Sequence, residues 1–263
     1  MDMGLRDKVA VITGGSIGIG LAVAKGLAAE GAHIVIVARN SERLESARSE
    51  IASTGKVRVL ALVADVATSD GVASVVAAAQ NEFGGADILI NNAGTGSNET
   101  IMNAPDEKWQ MYWDLHVMAA VRLARGLVPA MKRRGGGVIL NNASICAAQP
   151  LWYEPIYNVT KAALVMLSKT MATEFIKDNI RVNAVNPGFV LTPDWIKTAK
   201  QLTADKGGDW KGYIDGLAKE NAPIGRFSSP EEIADFFVYL CSARASYCVG
   251  STYFIDGGML KTI

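Results

Sequence analysis

Tyr157 and Lys161 are four residues apart in a segment whose pattern predicts a helix. A step of four residues is a little over one helical turn, so the phenol and the ammonium project from the same face and can act on one small molecule. A nearby ammonium favours the phenolate and lowers the pKa of a tyrosine, which predicts an acid or base that works near neutral pH. A lysine packed beside a half-buried ring gives the same pattern, so the prediction depends on the rest of the chain.

Glycine-rich sequence follows the first predicted strand, residues 8–13, and precedes an alanine-rich helical segment, residues 21–30. Glycines allow a tight turn and a close approach of the backbone to a diphosphate, and the following helix N-terminus offers N–H groups to the anion. This position between a first strand and a first helix predicts a dinucleotide-binding turn. The predicted contacts lie at Thr13, Gly14, Ser16, Ile17, Gly18, Ile19 and Gly20.

The end of the second predicted strand, residues 33–38, indicates which dinucleotide is bound. Folds of this kind that use NAD commonly place an acidic residue here for the adenosine ribose, whereas NADP users place an arginine for the 2′-phosphate. Ala38 occupies the acidic position and Arg39 follows it, which favours NADP(H) over NAD(H). After the third strand, Asp65 and Val66 are predicted to contact the cofactor, with loop capping by Asp65 as the alternative.

The overall composition narrows the class of partner. The chain has 263 residues, and its 26 acidic side chains balance its 26 basic ones, so bulk charge indicates neither nucleic acid nor an anionic membrane as a partner. Three cysteines without metal-ligand spacing and only two histidines argue against a metal site and for reduced thiols. No apolar run approaches the length of a membrane span or a signal segment, which predicts a cytoplasmic protein.

Predicted strands alternate regularly with helical segments along the chain. The strands cover residues 8–13, 33–38, 57–64, 87–90, 138–143, 180–185 and 251–255. This alternation predicts an α/β fold with a doubly wound parallel sheet in one domain, residues 1–263. Within it we expect a dinucleotide-binding and catalytic core (8–193), a substrate lid (194–222) and a C-terminal helix and last strand (223–263).

With these pieces in order, the sequence resembles the classical short-chain dehydrogenase/reductase (SDR) family from about residue 8 to residue 258. The motifs that carry the resemblance are Thr13 with Gly14, Gly18 and Gly20, then Asp65, the run Asn91-Asn92-Ala93-Gly94, Ser144, Tyr157 with Lys161, and Asn186-Pro187-Gly188 followed by Thr192. Each motif is modest alone, but their joint order and spacing are specific. The resemblance implies a Rossmann-like, seven-stranded parallel fold, usually in a homotetramer or homodimer, that transfers hydride between a nicotinamide and a carbonyl or alcohol.

The resemblance also implies a role for each site residue. Ser144 and Tyr157 would hydrogen-bond the substrate carbonyl oxygen, Tyr157 would give it a proton, and the nicotinamide would deliver hydride to the carbon. Lys161, next to Tyr157, would hold the nicotinamide ribose and lower the pKa of the tyrosine. Further cofactor contacts are implied for Asn92, Ala93, Gly94, Pro187, Gly188, Val190 and Thr192.

One position, His116, departs from the family pattern. Family members usually have an asparagine there, where the helix before the fifth strand kinks and holds a water that links the lysine to solvent. In the interpretation that we favour, a backbone carbonyl still holds the water and the imidazole only fills space. In the other, His116 joins the catalytic proton relay and titrates near its ordinary pKa of about 6.5. The helical pattern around it, residues 106–134, is also expected to break near Pro129.

The substrate is expected to be a small free ketone or aldehyde, or the matching secondary alcohol. Residues predicted to line its site are Ser144, Cys146, Trp152, Tyr153 and Trp195. The aromatic residues among them favour an apolar or cyclic compound and thus a carbonyl reductase. A pocket-lining role is favoured for Cys146 over a thiol nucleophile, because no imidazole or basic cluster lies near it in the sequence.

Two alternatives to a small-molecule reductase stay open. The first is a β-ketoacyl-(acyl carrier protein) reductase, since Lys132, Arg133 and Arg134 could dock a carrier, although Asp178 stands where such enzymes often have a basic residue. The second is a non-catalytic nucleotide-binding regulator, which only the unusual His116 suggests. The presence of Ser144 and of the tyrosine and lysine argues against the regulator.

Overall fold

A computed structural model of the chain describes residues 2–96, 98–151 and 153–261. The strands are β1 (Val9–Thr13), β2 (His33–Ala38), β3 (Val59–Val63), β4 (Ile88–Asn91), β5 (Gly137–Asn142), β6 (Ile180–Pro187) and β7 (Thr252–Ile255). They form one sheet in the order β3-β2-β1-β4-β5-β6-β7, and every neighbouring pair is parallel. The predicted fold, a single Rossmann-like domain with a seven-stranded parallel sheet, is confirmed.

Helices cover both faces of the sheet. They are α1 (Gly18–Ala29), α2 (Ser41–Ala52), α3 (Ser69–Phe83), α4 (Asp106–Trp113), α5 (Ala119–Arg133), α6 (Pro155–Phe175), α7 (Pro193–Thr203), α8 (Trp210–Asn221) and α9 (Pro230–Cys241). One apolar cluster lies between the sheet and α1, α2 and α9, and a second lies between the sheet and α3, α5 and α6. Every residue of β1 and β6 is buried, as expected for strands covered on both faces.

The strand order reverses between β1 and β4, which lie side by side at the centre of the sheet. In open parallel sheets a crevice forms at such a reversal, outside the carboxyl ends of the strands. The glycine-rich turn after β1, Asn92 after β4 and Ser144 after β5 all leave the sheet at this edge. The fold therefore brings together residues that are far apart in the sequence.

An irregular turn interrupts the helical pattern at residues 106–134. One turn of π-helix, Asp114–Met118, joins α4 to α5 and carries His116. The predicted break near Pro129 is wrong, because α5 continues through this residue to Arg133. Pro129 has no N–H to donate to the carbonyl oxygen four residues before it in the helix. Because Pro129 is exposed, water can donate a hydrogen bond to that oxygen instead. The irregularity falls instead where π-helical turns are frequent, at a candidate functional site.

The segment after β6 forms two helices, α7 and α8, in the region predicted to be a lid. Thr192 caps α7 by accepting a hydrogen bond from Trp195 N at 3.3 Å. The ring of Trp195 packs edge-on against Phe189 and Phe227, with centroid distances of 5.5 and 5.3 Å. This aromatic cluster fixes α7 against the segments that precede and follow the two helices.

Candidate active site

Ser144, Tyr157 and Lys161 meet at the carboxyl end of β5. Ser144 follows this strand by two residues and is buried. Pro155 starts α6, because its fixed φ suits the first helical turn, and Tyr157 lies in that turn with Lys161 one turn later. The hydroxyl of Ser144 lies close enough to the phenol of Tyr157 to affect its pKa, and Lys161 Nζ lies 5.4 Å from the centroid of the tyrosine ring. The three side chains are thus close enough to act on one substrate.

The main chain holds the ammonium of Lys161. Nζ donates a hydrogen bond to Asn142 O at 2.7 Å, and the residue is only 3% exposed. Burial lowers the pKa of Lys161 to about 8, while the neighbouring Cys146 opposes the shift. The ammonium is therefore protonated at neutral pH and loses its proton at mildly alkaline pH.

The pKa of the Tyr157 phenol is raised above the ordinary value for tyrosine. Burial is the main cause and the Cys146 thiol the second, while the hydrogen bond with Ser144 acts in the opposite direction. The predicted lowering of this pKa is not found, because burial of the phenol is the largest influence and raises the pKa. A phenol with a raised pKa is protonated at neutral pH, which is the state that a proton donor needs.

His116 lies beside the tyrosine and the lysine, and its hydrogen bonds indicate its tautomer. Nδ1 is 2.9 Å from Thr160 Oγ1, and this hydroxyl donates its own proton to Ile156 O at 2.8 Å. Nδ1 must therefore carry the imidazole proton, which leaves a lone pair on Nε2. Nε2 is buried without a hydrogen-bond partner among the described residues, and a Cβ added to Gly94 would lie 3.1 Å from it.

The surroundings of His116 keep the imidazole neutral. Burial and the positive charge of Lys161 hold its pKa well below the usual value. The ring packs edge-on against Tyr112 and Tyr157, with centroid distances of 5.4 and 5.6 Å. A titration of His116 near its ordinary pKa is therefore not expected in the folded protein, although the lone pair of Nε2 could still accept a proton-relay hydrogen bond.

The glycine-rich turn forms a cradle that a side chain would fill. Gly14 and Gly18 have φ values of +66° and +58°, a region that favours glycine. A Cβ added to Gly20 would overlap the carbonyl oxygen of Gly14. Ile17 stands at the N-cap of α1 and provides no side-chain cap, so the first N–H groups of the helix can bind an anion. These features fit the diphosphate of a dinucleotide.

Thr13 and Asn92 hold this turn against the end of β4. Thr13 Oγ1 accepts hydrogen bonds from Asn92 N and Ala93 N, both at 3.0 Å. Asn92 Nδ2 donates to Thr13 O at 3.0 Å and to Gly14 O at 3.2 Å. Asn92 Oδ1 accepts from Asn142 Nδ2 at 2.8 Å, which links the turn to the end of β5. The side chains of these predicted cofactor residues therefore shape the cradle.

The remaining residues predicted to contact the phosphates or the adenosine of the cofactor differ in their exposure to solvent. Ser16 is buried, and Ile19 packs against the first apolar cluster. Arg39 is exposed at the end of β2, where a guanidinium can meet a 2′-phosphate. Asp65 Oδ1 accepts a hydrogen bond from the N–H two residues on, at 3.0 Å, which is the loop-capping alternative. Val66 is buried in the second apolar cluster, so only its main chain could contact a cofactor.

The segment after β6 faces the glycine-rich turn. Pro187 ends β6 and Gly188 turns the chain toward α7. Val190 is buried, which leaves its backbone for any cofactor contact. A Cβ added to Gly18 would lie 3.4 Å from Thr192 Cγ2, so Thr192 lies directly against the turn. This segment forms the second wall of the predicted cofactor crevice.

The predicted substrate residues fall into different environments. Trp152 lies outside the described residues. Cys146 is buried, and burial raises its pKa, so it is a thiol and supports the pocket-lining interpretation. Tyr153 is half-buried, and burial followed by the charge of Glu154 raises its pKa. Trp195 belongs to the aromatic cluster at α7, so packing accounts for its side chain.

Sequence reasoning missed three residues that the structure places at the site. Asn142 holds Lys161 through its carbonyl oxygen, and Thr160 orients His116. Glu154 lies close enough for its charge to raise the pKa of Tyr157. The available signal was their position, since each stands within three residues of a predicted catalytic residue. Their contacts, however, depend on how the strands and α6 pack.

Comparisons with known proteins agree with this geometry. The family model described as Enoyl-(Acyl carrier protein) reductase matches residues 14–260. Dehydrogenase/reductase SDR family member 4 of Oryctolagus cuniculus is 37% identical over 255 residues, which cover 97% of this chain and 94% of that protein. The uncharacterised oxidoreductase YvrD of Bacillus subtilis is 34% identical over 266 residues and is covered completely, as is this chain.

A solved structure is more similar still. The crystal structure of L-sorbose reductase from Gluconobacter frateurii, in complex with NADPH and L-sorbose, has 70% sequence identity, a TM-score of 0.99 and full coverage of both chains. The family match covers more than half of the chain, and the relatives align over almost all of it. The chain therefore belongs to the short-chain dehydrogenase/reductase family of oxidoreductases, as its motifs predicted.

Proposed function

We propose that this protein is an NADP(H)-dependent oxidoreductase that interconverts a ketone and a secondary alcohol on a small molecule, with Tyr157 as acid or base. The observation that carries the proposal is the meeting of Ser144, Tyr157 and Lys161 at the carboxyl edge of the sheet, beside the glycine cradle. Proton donation by a phenol requires neither a nucleophilic side chain nor a metal ion nor a docking surface for a carrier protein.

Tyr157 supplies the proton in the direction of carbonyl reduction. Its raised pKa keeps the phenol protonated at neutral pH, and the hydroxyl of Ser144 lies beside it. Ser144 Oγ also accepts a hydrogen bond from Cys146 N at 3.1 Å, which orients the serine. Ser144 and Tyr157 thus present two hydroxyl groups to one carbonyl oxygen, and the developing negative charge on this oxygen is stabilised as the proton is transferred.

Lys161 provides positive charge behind the tyrosine. Held by the carbonyl of Asn142, its ammonium stays near the phenol, where it stabilises negative charge that develops on the oxygen of Tyr157. The lone pair of His116 Nε2 lies on the same side, near Gly94, and can accept a hydrogen bond from the ammonium or a water. His116 therefore serves as an acceptor in the relay, without becoming charged.

The residues of the cofactor crevice fit NADP(H). When bound, this dinucleotide supplies or accepts the hydride at the substrate carbon. The cradle of Gly14, Gly18 and Gly20 and the N-terminus of α1 would hold its diphosphate. Arg39 would hold the 2′-phosphate, and the NADPH bound to the L-sorbose reductase of Gluconobacter frateurii supports the same choice. Lys161 would hold the nicotinamide ribose.

A hydroxylated ketone is the first substrate to test. Sequence reasoning favoured an apolar or cyclic compound because of Trp152, Tyr153 and Trp195. Trp195 is used in the packing of the lid, and a carboxylate, Glu154, stands near Tyr157. L-sorbose is the sugar bound to the 70%-identical reductase, and a ketose of this kind carries a ketone that Tyr157 can protonate. The segment of α7 and α8 is proposed to close over this substrate as a lid.

A carrier-bound substrate is disfavoured by the placement of the basic residues. Lys132 forms an ion pair with Asp178 at 2.7 Å, and Arg134 forms one with Asp87 at 2.7 Å. Both aspartates precede strands, so these pairs lie at the amino edge of the sheet, opposite the edge that carries Tyr157. Two of the three basic residues that could dock a carrier are therefore neutralised and far from the site.

Self-association is proposed through α4 and α6. Met111 and Trp113 on α4, and Val159 and Met166 on α6, are between 40% and 68% exposed, which is unusual for large apolar side chains. A homotetramer or homodimer would cover them. None of the helices in the described part of the chain is both long and apolar enough to cross a membrane. The cytoplasmic location stays a prediction from the sequence.

The proposed function is tested by following NADPH absorbance with L-sorbose, with 2-hexanone and with no added substrate. The proposal expects substrate-dependent NADPH consumption that Ser144→Ala reduces strongly. NADPH binding without consumption on any carbonyl compound would instead support the nucleotide-binding regulator. Turnover of an acyl-carrier thioester far above that of every small ketone would support the carrier alternative.

A further inference from the structure

Glu154 lies at the start of the helix that carries Tyr157. Its N–H donates to Leu151 O at 3.2 Å, and its own carbonyl oxygen accepts from Asn158 N at 2.9 Å. Asn158 also clamps Leu151 through its side-chain amide, with Nδ2 donating to Leu151 O at 2.6 Å. The position of Glu154 relative to Tyr157 is therefore fixed by the first turn of α6.

The carboxylate reaches the loop on the other side of the site. A Cβ added to Gly96 would lie 3.4 Å from Glu154 Oε1, and Gly96 O accepts a hydrogen bond from the hydroxyl of Tyr112. Glu99 N donates to Tyr153 O at 3.1 Å, which joins this loop to the one that precedes α6. Glu154 thus ends the segment between β5 and α6, and its carboxylate lies against the loop that follows β4.

Four groups around this space respond to the charge of Glu154. This charge raises the pKa of Tyr157, Cys146, Tyr153 and Tyr112, and in each case burial is the larger cause. The charge therefore acts on the volume in which a substrate of Tyr157 must lie. A partly buried carboxylate is costly to cover with an apolar molecule, whereas hydroxyl groups donate strong, charge-assisted hydrogen bonds to it.

We propose that Glu154 is a specificity-determining residue that accepts hydrogen bonds from hydroxyl groups of the substrate and thereby selects polyhydroxylated ketones and alditols. This inference rests on the proposed function, because it concerns the same site. A carboxylate has two oxygens and about four lone-pair directions, so it can receive two vicinal hydroxyl groups beside its protein contacts. The nearby buried ammonium of Lys161 disfavours a cationic substrate, which could otherwise also pair with Glu154.

The test compares L-sorbose with 2-hexanone, a ketone of equal chain length without hydroxyl groups. We expect the wild type to prefer L-sorbose, and Glu154→Gln to lower the ratio of the two kcat/KM values by about 30- to 100-fold, as expected when one charged acceptor is lost. Glu154→Asp should recover part of the ratio. The control Glu174→Gln makes the same change at an exposed site on α6 and should leave the ratio unchanged.

The outcomes separate this inference from the proposed function. If Glu154→Gln lowers kcat/KM equally for both ketones while NADPH binding and thermal stability are kept, Glu154 positions the site and does not select hydroxyl groups. If the wild type reduces 2-hexanone better than L-sorbose, or an amino ketone better than either, the inference is wrong and the reductase function stands. If none of the carbonyl compounds causes the wild type to consume NADPH, the proposed function is wrong and so is this inference.

Discussion

Lowering the pH from about 7 to about 5.5 should destabilise the folded protein through His116. The imidazole is buried, and burial and Lys161 hold its pKa well below the ordinary value. In the unfolded chain the same side chain would titrate near its usual pKa of about 6.5. Below that pH the unfolded state binds a proton that the folded state does not, so stability is lost as the pH falls.

The unfolded-state pKa sets the largest size that this loss can have. The free energy of unfolding falls by up to about 1.3 kcal/mol between about pH 7 and about pH 5.5. The pKa of Lys161 is lowered to about 8, so its titration lies outside this range. The contribution of His116 is isolated by comparison with His116→Asn, because an amide does not titrate.

The assay is urea unfolding of the wild type and of His116→Asn at both pH values and at one fixed protein concentration. Carboxylates shared by the two proteins contribute equally to both, so the difference between the two pH dependences reports on His116. The wild type should lose up to about 1.3 kcal/mol more than the variant. Equal losses would mean that the imidazole gains its proton over the same pH range in the folded and the unfolded protein, and that burial and Lys161 do not lower its pKa.

Two further predictions concern the cofactor and the lysine. Arg39→Asp should lower kcat/KM for NADPH relative to kcat/KM for NADH by about 10- to 100-fold, because a charge-assisted contact is replaced by repulsion of the 2′-phosphate. An unchanged ratio would show that Arg39 is only a solvated loop residue. In the reduction direction kcat/KM should be constant at neutral pH and fall as the pH rises through about 8, because Lys161 then loses its proton; a profile that is flat to pH 10 would contradict the assigned role of the ammonium.

The sequence predicted the sheet because its signals are local. β2 begins and ends where the pattern indicated, since it is an apolar run bounded by turn residues. Ser229 and Glu232 form a capping box at the start of α9, and the sequence motif of such a box is visible without a structure. The cradle at Gly14 and Gly18 was predicted for the same reason, because few other residues adopt its backbone conformation.

Features that depend on tertiary packing could not be predicted. The hydrophobic pattern at residues 106–134 has a helical period throughout, and it cannot show that one turn widens at Asp114–Met118. The partner of the Lys161 ammonium is a backbone carbonyl, that of Asn142, and main-chain atoms leave no signature in the sequence. Trp195 was predicted to line the substrate site, but its packing against Phe189 and Phe227 depends on their three-dimensional arrangement.

The most direct measurement is the rate of NADPH-dependent carbonyl reduction by Tyr157→Phe. Removing this one hydroxyl should lower kcat/KM by about 10²- to 10⁴-fold, the usual contribution of a positioned general acid, while NADPH still binds. Tyr247→Phe makes the same change at a fully exposed tyrosine and should match the wild type. Reduction by Tyr157→Phe at the wild-type rate would show that the proton comes from another group.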